Sequence, residues 1–333
     1  MKKFKVGIIG FGLIGQKRAK NLGLKAELVA YSDIVNIKKN ILDQKKSKVK
    51  FFKNWKDLVK LKELDIIIIS TVHNLLAPIL LEACKYKKNI LVEKPAAIHL
   101  KDLRRIIKLS KRYKNKVRVG YNHRFHSAVI KCKEIINKQL LGKLMFIKAS
   151  YGHGGRTGYE KEWRMKSKIS GGGELIDQGS HLIDLSMFFL GEVKQVTAKL
   201  ENFFWKTNVD DNAFITLKFR NNCISFLHAS CTEWKNNFIF EIYGTKGKLK
   251  IEGKGGSYGR ESLIFYKMSK KMGLPEVKRW IFEKKDNSWK KELNELYNDI
   301  NYNRSSNPGL EQAYSVLKII KNIYKTNKYD HCS

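Results

Sequence analysis

Over the first 120 residues, apolar runs closed by polar or glycine-containing turns alternate with segments of helical periodicity. Phe4–Ile9, Glu27–Ser32, Asp65–Ser70, Asn89–Val92 and Val117–Tyr121 read as strands. Gly15–Leu22, Trp55–Val59, Pro78–Tyr86 and Leu100–Tyr113 read as helices. The run Ile66-Ile67-Ile68-Ile69 is of the β-branched kind that a parallel sheet buries on both faces. This β-α-β alternation predicts an open, doubly wound parallel sheet. After residue 122 the texture changes. Helical patterns at Ala128–Asn137 and Leu175–Phe189 enclose a strand, Leu144–Tyr151, and the loop Gly171-Gly172-Gly173. Strand-like segments then run in series, at Val193–Leu200, Ala213–Phe219, Ile224–Ser230, Phe238–Tyr243 and Lys248–Ile251. Serial strands without intervening helices predict a large, mainly antiparallel sheet. Helices close the chain at Trp289–Asn301 and Gly309–Tyr324.

A chain of 333 residues with 43% apolar and 11% aromatic residues can build two cores. The net charge of +35, from 66 Lys and Arg against 31 Asp and Glu, raises the local concentration of anions. Nucleotide sugars, sugar phosphates, nucleic acid and an anionic surface all qualify. Against a focused patch stands the spread of lysines over the whole chain, the mark of a composition bias. No basic tail, zinc-finger spacing or RNA-binding aromatic signature occurs, so no specific nucleic-acid partner is expected. The five cysteines, Cys84, Cys132, Cys223, Cys231 and Cys332, are odd in number and form no CxxC pair. That fits free thiols in a reducing cytoplasm. Met1-Lys2-Lys3 and the apolar run after it resemble a short signal peptide, but Gly7, Gly10, Gly12 and Gly15 interrupt the run and no cleavage site follows. No membrane span is expected, for want of about 18 consecutive apolar residues.

Gly10-Phe11-Gly12-Leu13-Ile14-Gly15 is a GxGxxG sequence placed after a strand and at the start of a helix. Asp33 follows at the end of the next strand, 18 residues past Gly15. This is the context of a Rossmann dinucleotide site. Gly10 permits the tight turn, Gly12 lets backbone amides approach a pyrophosphate, and Gly15 allows close helix–strand packing. The helix N-terminus stabilises the anion. Asp33 accepts from the ribose hydroxyls and repels a 2′-phosphate, which favours NAD over NADP; Lys38 and Lys39 are the cations that could rescue a phosphate. The alternative is a glycine turn that binds nothing. The domain reading is residues 1–122 for a Rossmann NAD-binding domain and 123–333 for a second α/β domain for substrate and oligomerisation, with helix 309–325 packing back on the first.

Glu93-Lys94-Pro95 follows a strand whose carboxyl end borders the ligand crevice of such a sheet. Taken alone, Lys94 reads equally as a solvated lysine. Gly172-Gly173-Glu174-Leu175-Ile176-Asp177-Gln178-Gly179-Ser180-His181-Leu182-Ile183-Asp184 adds polar residues to a helix, with Asp177 and His181 at i and i+4 on one face. With GxGxxG, Asp33, the Glu-Lys-Pro turn and Pro308-Gly309-Leu310-Glu311 near the end, the chain resembles the Gfo/Idh/MocA oxidoreductase family. The resemblance implies that Lys94 binds and polarises the reacting hydroxyl or carbonyl, that His181 is the general base, and that Asp177 orients the substrate or the histidine. It implies cofactor contacts from Gly10, Phe11, Gly12, Leu13, Ile14, Gly15, Asp33, Thr71, His73, Glu93, Lys94 and Asn122. Many members read Thr-Pro-Asn where this chain has Ser70-Thr71-Val72-His73-Asn74-Leu75, so His73 either contacts the cofactor or only replaces the usual side chain. In Tyr121-Asn122-His123-Arg124-Phe125, Asn122 is the ligand candidate, Arg124 is as readily structural, and His123 and His126 read as packing or surface groups. Substrate contacts are expected from Lys94, Arg156, Trp163, Arg164, Asp177 and His181, with His153 beside them; a solvated loop is the alternative for residues 153–164. Asp184, at i+3 from His181, suggests an Asp/His/Asp metal set, but no further ligand stands at suitable spacing and no metal is expected.

The segments His153–Arg164, Thr232-Glu233-Trp234 and Gly255-Gly256-Ser257-Tyr258-Gly259 resemble a branch of that family associated with bacterial surface polysaccharides. The implied reaction is hydride transfer between NAD and a ring hydroxyl or ketone of an anionic, nucleotide-linked or phosphorylated sugar. A free sugar or inositol dehydrogenase and a non-catalytic NAD-binding sensor are the alternatives. The antiparallel sheet of the second domain is expected to join subunits into a homodimer or homotetramer through Phe203, Phe204, Trp205, Phe226, Trp234, Phe238 and Phe240; an ordinary core facing the helices is the competing use of these residues.

Overall fold

The isoleucine run at 66–69 lies in the middle of a parallel sheet, and all four side chains are fully buried. A computed structural model of the chain describes residues 3–36, 49–269, 271–282 and 285–329, so Lys38, Lys39 and Cys332 lie outside the described residues. The chain divides into two compact units, residues 1–121 with 289–317, and residues 122–288 with 318–333.

The first unit contains β1 (Phe4–Ile9), α1 (Leu13–Lys20), β2 (Ala26–Ser32), β3 (Lys50–Phe52), α2 (Trp55–Val59), β4 (Ile66–Ile69), α3 (His73–Lys85), β5 (Asn89–Val92), α4 (Leu100–Tyr113) and β6 (Val117–Val119). Its sheet runs β3-β2-β1-β4-β5-β6 with every pairing parallel, the doubly wound order of a Rossmann fold. The three-residue edge strand β3 is too short to announce itself by periodicity. Helix α3 begins at His73, five residues before the start the sequence suggested, and Pro78 lies inside it. A proline there forfeits one backbone hydrogen bond. The buried stripe Leu76, Ala77, Ile79, Leu80 and Ala83 holds the segment helical across it.

The second unit contains α5 (Ser127–Asn137), β7 (Leu144–Gly152), α6 (Ser167–Ser170), α7 (Ser180–Leu190), β8 (Val193–Glu201), β9 (Asn212–Phe219), β10 (Ile224–Ser230), β11 (Asn237–Gly244), β12 (Gly247–Glu252), β13 (Ser262–Lys267) and β14 (Glu276–Ile281). Helices α8 (Ser288–Asn301) and α9 (Leu310–Thr326) follow, of which residues 289–317 belong to the first unit. The sheet order is β14-β13-β12-β11-β7-β10-β9-β8. Among the described residues only β7 and β10 pair in parallel in this sheet; the other pairings are antiparallel. The last two strands, β13 and β14, escaped the sequence reading. Along β11 alternate residues are buried, so Phe238 and Phe240 face the core rather than the outer face. Trp205 is also buried, its indole N–H donating to the Cys231 carbonyl at 3.0 Å. Three of the seven aromatics expected on an outer face are therefore core residues, whereas Phe203, Phe204, Phe226 and Trp234 are exposed.

The segment Leu175–Gly179 is a π-helical turn, continued as α-helix from Ser180. Such turns concentrate at functional sites. Among the described residues no helix is long and apolar enough to cross a membrane.

Candidate active site

In the first unit the glycine loop is fixed at both ends and open in the middle. Gly10 has φ +83°, and a Cβ there would lie 2.6 Å from the Ser70 carbonyl oxygen. A Cβ on Gly15 would lie 2.1 Å from the Gly10 carbonyl oxygen. The Ser70 hydroxyl donates to that same Gly10 oxygen at 2.7 Å, tying the end of β4 to the loop. Gly12 differs: a Cβ on it would meet nothing within 4 Å. It caps α1, whose first amides have no intrahelical partner. Phe11 is buried, its ring 4.4 Å from that of Tyr31 and tilted 33° to it, so it anchors the loop from below. Leu13 stands 83% exposed beside it. The Asp33 carboxylate accepts the Phe11 N–H at 2.6 Å and the Val35 N–H at 3.3 Å, which leaves lone pairs for further donors. Open space ahead of unsatisfied amides, with a carboxylate at the end of β2, fits a dinucleotide: Gly12, Leu13, Ile14 and Gly15 at the pyrophosphate, and Asp33 at the ribose. Thr71 and the buried His73 lie where β4 passes into α3.

Lys94 follows β5 in a tight turn closed by the Ala96 N–H donating to the Glu93 carbonyl at 3.0 Å. Glu93 is gripped by the buried Arg18. Lys94 itself is half-buried.

In the second unit the π turn presents Asp177, and the first turn of α7 presents the buried His181. Arg164 Nε donates to Asp177 Oδ2 at 3.1 Å, and its guanidinium lies 4.6 Å from the Trp163 ring. Glu162 pairs with both Arg156 and Arg164. Arg156 is largely exposed. The His153 ring accepts the Gly155 N–H on Nδ1 at 2.9 Å, which leaves Nε2 to carry the proton of the neutral ring. That edge faces the Tyr159 hydroxyl at 3.4 Å and Glu174 Oε1 at 3.7 Å. Burial holds the His153 imidazole below its ordinary range. The Tyr151 and Tyr258 rings lie 5.4 Å apart, burial pushes the Tyr258 hydroxyl up to about 12, and the Lys254 ammonium lies 4.1 Å from the Tyr258 ring. His123 stacks on His181 with centroids 3.9 Å apart and planes 17° from parallel.

The structure thus groups Asp177, His181, Arg164 and Trp163 within one unit and adds Tyr151, Tyr159, Glu174, His123 and Tyr258, which sequence reasoning did not nominate. For Tyr151, Tyr159 and Tyr258 the signal was weak, aromatic residues embedded among glycines; Glu174 and His123 stood inside motifs read for their neighbours. Asn122 is buried and donates to Ser288 Oγ at 3.0 Å. Arg124 is structural, its Nε and Nη2 donating to Asp184 Oδ2 and Oδ1 at 2.8 and 2.6 Å. Asp184 is thereby committed to a cation, and among the described residues no cluster of His, Cys, Asp and Glu is arranged to hold a metal ion. His126 pairs with the buried Glu261 at 2.9 Å.

Comparison with known proteins agrees in both units. Residues 4–121 match the oxidoreductase family model for an NAD-binding Rossmann fold, and residues 129–250 match the GFO/IDH/MocA C-terminal domain. An uncharacterized oxidoreductase of Streptococcus pneumoniae is 27% identical over 266 residues, 74% of this chain and 68% of that protein. Myo-inositol 2-dehydrogenase of Thermotoga maritima is 24% identical over 254 residues, 74% of each chain. The solved structure of levoglucosan dehydrogenase in complex with NADH and levoglucosan superposes with a TM-score of 0.87 at 19% identity, over 98% of both chains. A glycine loop, a carboxylate at the end of β2 and a two-unit match place this chain in the GFO/IDH/MocA family of oxidoreductases, with an NAD-binding Rossmann domain at its N-terminus.

Proposed function

We propose that this protein transfers hydride between NAD and a ring hydroxyl or ketone of a nucleotide-linked or phosphorylated sugar, as a cytoplasmic step in surface-polysaccharide biosynthesis. The observation that supports it most is the set of groups around Asp177 and His181. Arg164, His153, Tyr151 and Tyr258 offer hydrogen-bonding edges and aromatic faces, the usual lining of a sugar site. The names of the inositol and levoglucosan dehydrogenases support the coarser reading, a ring alcohol of a sugar or cyclitol. The net charge of +35 favours an anionic substrate, and the exposed Arg156 is suited to its phosphate.

In the proposed chemistry Lys94 donates a hydrogen bond to the reacting oxygen. His181 takes the hydroxyl proton as the carbinol carbon gives up hydride, and returns it in the reverse direction. Asp177 orients the substrate. NAD, when bound, accepts or returns the hydride. Asp33 favours NAD over NADP by repelling a 2′-phosphate. The four described cysteines are free thiols, in keeping with a reducing compartment. A homodimer or homotetramer is proposed through the outer face of the larger sheet. A groove of about 530 Å³ there is lined by Phe214, Phe226 and Ile239, of which Phe214 and Phe226 are exposed.

The test is product analysis by mass spectrometry with NAD and a panel of nucleotide sugars, sugar phosphates, free sugars and inositols. Loss of two hydrogens from an anionic sugar is the expected result. Turnover confined to free sugars or inositols overturns the substrate class, and near-normal turnover in Lys94→Ala overturns the site. NAD binding without any turnover favours a sensor.

A further inference from the structure

Arg18 sits on the second turn of α1, fully buried, with its guanidinium engaged on several edges. Nε and Nη2 donate to Glu93 Oε1 at 2.8 and 2.5 Å. Nη1 donates to Glu292 Oε2 of α8 at 2.5 Å. The Trp289 ring lies 4.3 Å from the guanidinium and 4.4 Å from the Lys17 ammonium. Room for this arrangement is made at Gly120, where a Cβ would come within 2.8 Å of Glu93 Oε2 and 3.1 Å of Arg18 Nη2. The backbone of Glu93 is also held, its N–H donating to the Ile69 carbonyl at 2.9 Å and its carbonyl accepting from Ala96. Ala96 adopts φ +68°, a left-handed conformation that a non-glycine residue keeps only where its surroundings impose it.

Stability alone is a poor reason for such a cluster. Buried ion pairs cost so much desolvation that apolar replacements are often as stable. What a guanidinium fork supplies is direction, since its planar donors fix the carboxylate they hold. The residue so fixed immediately precedes Lys94.

We propose that Arg18 is a positioning residue: through Glu93 it locks the turn that aims Lys94 and ties that turn to the helix opening at the dinucleotide loop. Its meaning for catalysis rests on the reading of Lys94 as the reacting lysine. Glu292 serves as the counter-anchor that keeps the guanidinium oriented, and Arg118 is the further cation facing it.

The experiment is amide hydrogen exchange read by mass spectrometry on the full chain, wild type against Arg18→Lys, which keeps the charge and loses the fork. Peptides covering residues 93–97 are expected to exchange at least about tenfold faster in the variant, while α4 and β1 stay within about twofold. Unchanged exchange at 93–97, or uniform acceleration of all peptides, overturns the proposal. If Arg18→Lys does not fold, Glu93→Gln is measured against the same criteria. With a substrate from the panel above, Arg18→Lys is expected to lower kcat about tenfold and leave the KM for NAD within twofold; an unchanged kcat overturns the positioning role. Lys94→Ala separates the two ideas. Full turnover in that variant sinks the catalytic reading of Lys94 and leaves the Arg18 grip to be judged by exchange alone.

Discussion

Replacing Asp184 by Asn tests whether the second unit depends on one buried ion pair. Arg124 and Asp184 meet through two parallel hydrogen bonds of 2.6 and 2.8 Å, with side chains 7% and 1% exposed. An amide at 184 removes the negative charge and points an N–H at one guanidinium edge. The guanidinium is then left buried without its carboxylate, a loss of about 3–5 kcal/mol. For a unit of roughly 180 residues each kcal/mol moves the midpoint by about 2–4 °C, so a fall of about 6–20 °C is expected. Scanning calorimetry on the full chain reads this directly. Removing both charges, as Arg124→Met with Asp184→Leu, should recover most of the loss, because two apolar side chains leave no stranded charge. The reasoning fails if Asp184→Asn costs under about 2 °C, or if the double replacement costs as much as the sum of Arg124→Met and Asp184→Leu measured singly.

Other outcomes follow from the same contacts. Gly12→Ala is expected to fold with an unchanged Tm yet lose NAD binding by at least about tenfold, whereas Gly10→Ala and Gly15→Ala, whose Cβ atoms would strike backbone, lower Tm as well; calorimetry and NAD titration distinguish them. Burial raises the Glu292 carboxyl to about 7, against an unfolded value of about 4.3. The folded chain therefore holds a proton between about pH 4 and 7 that the unfolded chain has lost. That contribution is present below the unfolded value and is lost as pH rises towards 7; Glu292→Gln should flatten this part of a Tm–pH profile. Asp177→Asn should lower turnover on the identified substrate at least about tenfold while NAD affinity stays within twofold, as kinetics and titration would show. Light scattering checks the oligomer: Phe226→Glu together with Phe214→Lys should yield monomer, and an unaltered mass excludes that face.

The parallel sheet was legible because burial on both faces leaves an apolar run that polar turns bracket, as at 66–69 and 89–92. The glycine loop was legible because steric exclusion permits no other residue at positions 10 and 15. What could not be read was the partner of each polar residue. Arg124 and Asp184 are 60 positions apart, and Arg18 and Glu292 are 274 apart; nothing local predicts either pair. Phe238 and Phe226 look alike in sequence, and only strand register decides that one is buried and the other exposed. His123 read as packing, and it does pack, but against His181.

The π turn at Leu175–Gly179 sets the angular phase of everything after it. Each residue of an α-helix advances about 100°, and the wide turn spends about one residue more on the same rotation. His181 against His123 and Asp184 against Arg124 ride on the same helix, so the turn is joined to one body held at both places. The wide turn thus works as a spacer: it presents Asp177 one residue out of step with ordinary helix while the helix beyond it stays clamped.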